Sequence, residues 1–269
     1  MESKVGLEFA ARTDPGLVRA QNEDAVAISP AHGFAVLADG MGGYNAGEVA
    51  SSIATNVVKE SLEDGLEKIG GKSVEGRLNR LINDSIQKAN AAILEAASNE
   101  PQYSGMGTTI VTVLFQHDRV IIAHVGDSRA YRFRSGSLEQ LTRDHSLLQE
   151  QIDAGLIDPK VARFAQNKNL VTRAVGVGAA MEVEINERQT QSGDIYLLCS
   201  DGLSDMLQPE EICEILTRNQ ASLEAACNDL IQKANGNGGL DNISVILIKV
   251  QSSRDTSNGL LGRLLNWVN

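Results

Sequence analysis

Buried apolar runs in this chain repeatedly end on an aspartate beside a glycine, and that habit restricts the fold more than any other feature. FAVLA at 34–38 runs into Asp39-Gly40, VIIAHV at 120–125 into Gly126-Asp127, and IYLLC at 195–199 reaches Asp201-Gly202 one residue later. Asp241 opens a fourth run, ISVILIKV at 243–250, and VTVLF at 111–115 is a partner for the second. Runs so rich in branched residues and so poor in polar alternation read as strands covered on both faces. The connectors at 116–119 and 134–137 are short and polar, which favours antiparallel hairpins over long crossovers. In an antiparallel sheet the end of one strand and the start of its neighbour share an edge, so the acids can converge there.

Helical signals lie between the strands. Asn45 followed by Glu48 reads as a capping box opening a helix to about Ile69. Ser73 is a cap for a second helix that carries Leu78, Leu81, Ile82, Ile86, Ile93 and Leu94 on one face. Pro209 starts a helix over 209–218, and Ser222 starts another ending near Gly236. Strands in the centre with helices in pairs make an α+β arrangement. Residues 143–180 show no such regularity and read as a flap over a site. One domain is expected over 1–250, followed by a polar linker and a short amphipathic tail over 251–269. That tail either docks on its own domain or offers a partner contact.

Composition narrows the chemistry. The formal charge is −11 and the acids are dispersed rather than blocked, which argues against nucleic acid as a partner. Cys199, Cys213 and Cys227 form no CxxC pair and no even set, as suits buried thiols in a reducing compartment. None has the Cys-x5-Arg spacing of a thiolate phosphatase. No apolar segment of signal-peptide length opens the sequence and no transmembrane run follows, so a cytoplasmic monomer is expected.

A single Asp-Gly is usually a turn, but four aspartates at the ends of core strands imply a carboxylate cluster that needs positive charge. Oxygen-only ligands suit Mg²⁺ and Mn²⁺, whereas zinc recruits His or Cys, which these turns lack. RAQNED places Arg19 four residues before Glu23 and five before Asp24, and a guanidinium matches the geometry of a phosphate.

Taken together the chain resembles the metal-dependent protein phosphatases, the type-2C or PPM family, in its short bacterial form. The matching segments are TDPGLVRAQNED at 13–24, LADGMGG at 37–43, GMGTT at 105–109, AHVGDSRAY at 123–131, LTRDHS at 141–146, LVTRAVG at 170–176, LLCSDGL at 197–203 and DNISVI at 241–246. The resemblance implies a central antiparallel β-sandwich flanked by antiparallel helix pairs, α-β-β-α, with the flap beside the site. It also implies hydrolysis of phosphoserine and phosphothreonine in proteins, by water activated between two divalent cations and with no phosphoenzyme. By the same resemblance Asp39 bridges two ions, Asp201 and Asp241 hold one, and the Gly40 carbonyl holds the other with Glu23 and Asp24. Asp127 corresponds to an acid for a third, weaker ion that Asp201 shares, and Arg19 to the phosphate clamp. The substrates implied are phosphoproteins made by a Ser/Thr kinase.

The chain departs from the better-known eukaryotic pattern at Met41, where those relatives carry the histidine suspected as general acid. Tyr44, a metal-bound water near Asp127 and bulk water stand as alternative donors. A structural role suits His145 better than an acidic one. Two rival readings are a catalytically silent phosphoprotein-binding scaffold of the same fold and a metal-dependent nuclease. The full set of acids opposes the first, and the acidic balance opposes the second.

Overall fold

Side-chain alternation explains why the central strands carry so little polar punctuation. The computed structural model describes residues 6–43, 46–69, 76–158, 161 and 170–251. Its strands in chain order are β1 (Gly6–Asp14), β2 (Asp24–Ser29), β3 (Phe34–Met41), β4 (Gly107–Thr108), β5 (Ile110–Gln116), β6 (Arg119–Val125), β7 (Arg129–Arg134), β8 (Ser137–Gln140), β9 (Glu184–Gln189), β10 (Ile195–Cys199) and β11 (Ile243–Gln251). The helices are α1 (Ala46–Ile69), α2 (Arg77–Asn99), α3 (Leu147–Asp153), α4 (Asp201–Ser204), α5 (Pro209–Arg218) and α6 (Leu223–Gly236). One sheet runs β1-β11-β10-β7-β8 and the other β2-β3-β5-β6-β9, with β4 attached to β3. All pairings are antiparallel.

The layers follow from where each side chain goes. Ala35 and Leu37 of β3 meet Tyr196, Leu198, Ile246 and Ile248 between the two sheets. Phe34, Val36 and Ala38 point the other way, into a cluster with Val58 and Leu62 of α1 and Ile82, Ile86 and Ile93 of α2. Leu197, Cys199, Val245 and Leu247 turn instead to Ile212, Leu216, Leu230 and Ile231 of α5 and α6. The result is the expected α-β-β-α stack, in which a core strand has no face left for polar residues. Both predicted hairpins form, pairing Gln116 with Arg119 and Arg134 with Ser137. Left-handed backbone at His117 (φ 54°), Ser135 (φ 50°) and Gly136 (φ 80°) turns these tight corners.

Two boundaries differ from the sequence expectation. β3 does not stop at the first acid: it continues to Met41, because Asp39 pairs with Asp24 of β2, and Gly40 and Met41 pair with β4. α2 begins at Arg77 with Gly76 at its N-terminal boundary, not with a Ser73 cap. Ser73 and the predicted cap Asn45 lie outside the described residues. The other two starts are as read: Ser222 accepts a hydrogen bond from the Ala225 N–H, and Gln208 with Glu211 completes a capping box ahead of α5.

Candidate metal centre

Strand order brings the acids to one end of the sandwich in two neighbouring pairs. Asp24 opens β2 directly across from Asp39 in β3, and Asp241 lies two residues ahead of β11 beside Asp201, which follows β10. Asp127 leaves β6 at the same end, after Gly126 with φ 109°. The first pair and Asp127 come from one sheet, the second pair from the other. Sheet stacking sets them face to face, so that Asp39 feels the charges of Asp24, Asp201, Asp127 and Asp241 together.

Burial and mutual repulsion push these carboxyls upward. Desolvation first, then Asp24 and Asp201, raise Asp39 well above the ordinary carboxylate range. Desolvation, then Asp127 and Asp205, do the same to Asp201. Asp24 is pushed up to about 7 by burial, although hydrogen bonds from Ser244 and Ser200 pull the other way. Asp127 rises to about 6, again mainly by burial, with Asp144 adding repulsion. Asp24 Oδ2 accepts from the Ser200 hydroxyl at 2.8 Å, while its buried Oδ1 has no donor among the described residues. An orphaned carboxylate oxygen among mutually repelling acids fits a hard divalent cation, which takes oxygen ligands and supplies the missing charge.

Backbone contacts around these acids are as close as chains can approach. A Cβ added to Gly40 would lie 2.1 Å from the Gly47 carbonyl oxygen and 2.6 Å from that of Glu23. One added to Gly202 would lie 2.0 Å from the Asn242 carbonyl oxygen. Glycine beside the acid is therefore required by two backbones crossing. The Glu23 carboxyl sits against Gly47 in the first turn of α1, and burial raises its pKa. Arg19 donates to Asp241 Oδ2 at 2.7 Å, which sets the guanidinium beside the acids. The other oxygen of Asp241 accepts from the Asn242 N–H at 2.8 Å.

Sequence reasoning missed the residues that hold the acids in place. Buried Asn242 accepts from the Glu23 N–H at 2.7 Å and donates to the carbonyls of Pro15 (3.0 Å) and Gln21 (2.8 Å). It thereby pins the loop carrying Arg19 to the start of β11. Thr109 and Thr108 bracket Asp39, one hydroxyl accepting from its N–H and the other donating to its carbonyl. Arg129 forks onto Asp144 at 2.9 Å (Nε to Oδ1) and 2.6 Å (Nη2 to Oδ2), tying the base of the flap to the strand after Asp127. All of these lie inside motifs quoted above, but hydrogen-bonding side chains of this kind carry no periodic signal.

The acids do not form the tightest potential ligand group. His124, His145 and Glu184 have ligand atoms that all lie within 4.8 Å of one another. They nevertheless suit an ion poorly. The two rings stack at 4.5 Å with planes 16° apart, and nearly parallel rings cannot both aim an in-plane lone pair at one ion. His145 Nδ1 already accepts the Gly126 N–H at 3.2 Å, which leaves its proton on Nε2, facing Glu184 at 3.3 Å. Burial beside His124 lowers the His145 pKa. His145 is thus a structural link between the flap base and the turn into Asp127. Cys199 and Cys227 are buried free thiols whose pKa values burial raises to about 12. Tyr44 lies outside the described residues, as do 159–160 and 162–169 of the flap and the tail from 252.

Comparison with known proteins agrees with this geometry. The family described as "Protein phosphatase 2C" matches residues 18–235. The chain is 38% identical over 244 residues to the serine/threonine protein phosphatase PstP of Mycobacterium tuberculosis, covering 91% of this chain but 45% of PstP, so it spans about half of that relative. It is 37% identical over 252 residues to the serine/threonine phosphatase stp of Listeria welshimeri, covering 91% of this chain and 98% of that protein. The solved catalytic domain of PstP in complex with two manganese ions superposes with a TM-score of 0.79 at 37% identity, covering 93% of this chain and all (100%) of that one. The chain belongs to the protein phosphatase 2C family.

Proposed function

We propose that this protein hydrolyses phosphoserine and phosphothreonine in proteins with the help of two divalent cations, Mn²⁺ or Mg²⁺. The observation that carries the reading is the meeting of Asp24, Asp39, Asp127, Asp201 and Asp241 from two sheets, four of them with pKa values pushed up by burial. Membership of the family and the manganese-bound relative support it. A silent scaffold would have no use for so repulsive a cluster.

Asp39, central to the electrostatic cluster, would be a ligand to both ions. Asp201 and Asp241 would hold one, and the Gly40 carbonyl with Glu23 and Asp24 would hold the other. Asp127 and Asp201 offer a third, weaker position. Bound there, the ions supply Lewis-acid activation of water and charge neutralisation at phosphate. Arg19, with donors to spare beyond its contact with Asp241, orients the phosphate through its planar fork. Asn242 fixes the loop that carries Arg19 and so positions the guanidinium. The general acid is Tyr44 or solvent. Phosphoproteins made by a Ser/Thr kinase are the substrates, and a cytoplasmic signalling role suits a chain whose described helices include none long and apolar enough to cross a membrane.

The deciding experiment measures phosphate release from phosphoserine, phosphothreonine and phosphotyrosine peptides with Mn²⁺, Mg²⁺ or chelator. Turnover of the first two peptides that chelator abolishes, and that Asp201→Asn lowers by at least roughly a hundredfold, is expected. Turnover indifferent to chelator and to the substitution would refute the mechanism.

A further inference from the structure

The well-exposed large hydrophobic residues among those described are not scattered. Three of them, Leu17 (70% exposed), Val18 (64%) and Leu240 (57%), frame the acids, and the other four lie on the flap between residues 156 and 177. Leu17 and Val18 immediately precede Arg19, and Leu240 immediately precedes Asp241. Leu17 and Leu240 share one surface. The Leu17 N–H donates to the Gly239 carbonyl at 2.8 Å, and a Cβ placed on Gly239 would sit 2.9 Å from Leu17 Cγ. A Cβ on Gly238 would lie 3.6 Å from Leu240 Cγ and 3.7 Å from Met206 Sδ. Leu17 and Leu240 therefore flank a bare Gly238-Gly239 backbone and make a low apolar shelf beside the Arg19–Asp241 pair.

We infer that this shelf reads the residue next to the phosphorylated one in the substrate polypeptide and selects an apolar side chain there. The inference rests on the phosphatase reading above. Consecutive Cα atoms are about 3.8 Å apart, so a phosphoresidue held at Arg19 places its neighbour within reach of Leu17, Val18 or Leu240. Charge decides which neighbour fits. The chain carries −11 overall, which two divalent cations reduce but do not cancel, so an acidic neighbour is disfavoured. A polar neighbour leaves the shelf wet, whereas an apolar one buries it and gains the transfer free energy.

The test is a phosphothreonine peptide series with Leu, Ser or Glu placed in turn on either side of the phosphoresidue, assayed with Mn²⁺ alongside p-nitrophenyl phosphate. On one side kcat/KM should fall in the order Leu, Ser, Glu, with a factor of roughly ten between Leu and Ser. The double variant Leu17→Ser/Leu240→Ser should bring that factor to within about twofold, with p-nitrophenyl phosphate turnover at the wild-type rate, while Leu17→Met/Leu240→Met keeps the preference. Equal rates across the wild-type series with normal p-nitrophenyl phosphate turnover overturn the inference alone. So does a preference that survives in the serine variant, or a wild-type dimer that the serine variant dissolves, which assigns the shelf to a second copy. Absence of turnover on every substrate overturns the phosphatase reading and this inference with it.

Discussion

Asp24 shows how a single residue ties stability to the ions. In the unfolded chain it releases its proton near its ordinary value of 3.8, while in the folded, ion-free protein burial moves that release to about 7. Between those values the folded state holds a proton that the unfolded state has lost. Stability therefore falls as pH rises from about 4 to 7, and Asp39 and Asp201 add to the same slope. Thermal melts in chelator should give a lower midpoint at about pH 7.5 than at about pH 5.5. Excess Mn²⁺ should reverse the order, because ions bind the deprotonated acids. A midpoint in chelator that rises across this range refutes the account. Asp201→Asn separates the two roles of one side chain. In chelator at about pH 7.5 it removes a carboxyl whose burial opposes ionisation and should raise the midpoint by roughly 2–4 °C, while cancelling much of the stabilisation by Mn²⁺. Asn242→Ala acts through position instead. It strips a buried donor from two carbonyls and the acceptor from the Glu23 N–H, costing about 1–3 kcal/mol and freeing the Arg19 loop. A rise in KM for phosphopeptides larger than any loss in kcat is the expected signature.

At the scale of elements, the centre depends on strands and helices meeting backbone to backbone. Gly40 of β3 abuts Gly47 of α1, and Gly202 of α4 abuts Asn242 ahead of β11. Gly40→Ala and Gly202→Ala should each remove most Mn²⁺-dependent turnover, because no side-chain motion relieves a clash with a carbonyl. Gly43→Ala is the control, since among the described residues no atom beyond its chain neighbours lies within 4 Å of a Cβ added there. Much of this level is legible in the sequence. The core runs become β3, β5, β6, β10 and β11, since residues covered on both faces leave an unbroken apolar signature. β1 and β2 are not legible. Their burial is partial, so GLEFAARTD and DAVAIS carry neither a continuous run nor a strict alternation. Asp24 is accordingly placed by resemblance, and only the pairing of β2 with β3 sets it opposite Asp39. The end of β3 escapes the sequence for a related reason: pairing with β4 carries the strand two residues past Asp39, and Gly107-Thr108 is too short a segment to announce itself. The flap base is opaque because it is held by polar contacts, such as the Arg129–Asp144 fork, rather than by a packed stripe.

The whole molecule places its chemistry at one end of a sandwich whose last strand is central rather than peripheral. β11 lies between β1 and β10, so the chain from 243 to 251 closes the five-stranded sheet and presents Asp241 at its entry. This arrangement separates two truncations that look similar in sequence. Ending the chain at Leu247 is ruled out by burial: loss of Ile248 (0% exposed) and Val250 (3%) opens the layer between the sheets. Each large core deletion costs about 2–5 kcal/mol, and two together approach the whole stability of a typical domain, roughly 5–15 kcal/mol. Ending it at Gln251 removes none of the described layers and none of the predicted site residues, the last of which is Asp241. A chain of residues 1–251 keeps every described layer and should fold cooperatively and retain Mn²⁺-dependent phosphopeptide turnover, whereas a chain of residues 1–247 should fail to fold cooperatively. Melting curves and turnover on the two truncations check this directly. Loss of activity in the longer one, with folding intact, would show that residues 252–269 contribute to the site and that the catalytic unit does not end with β11.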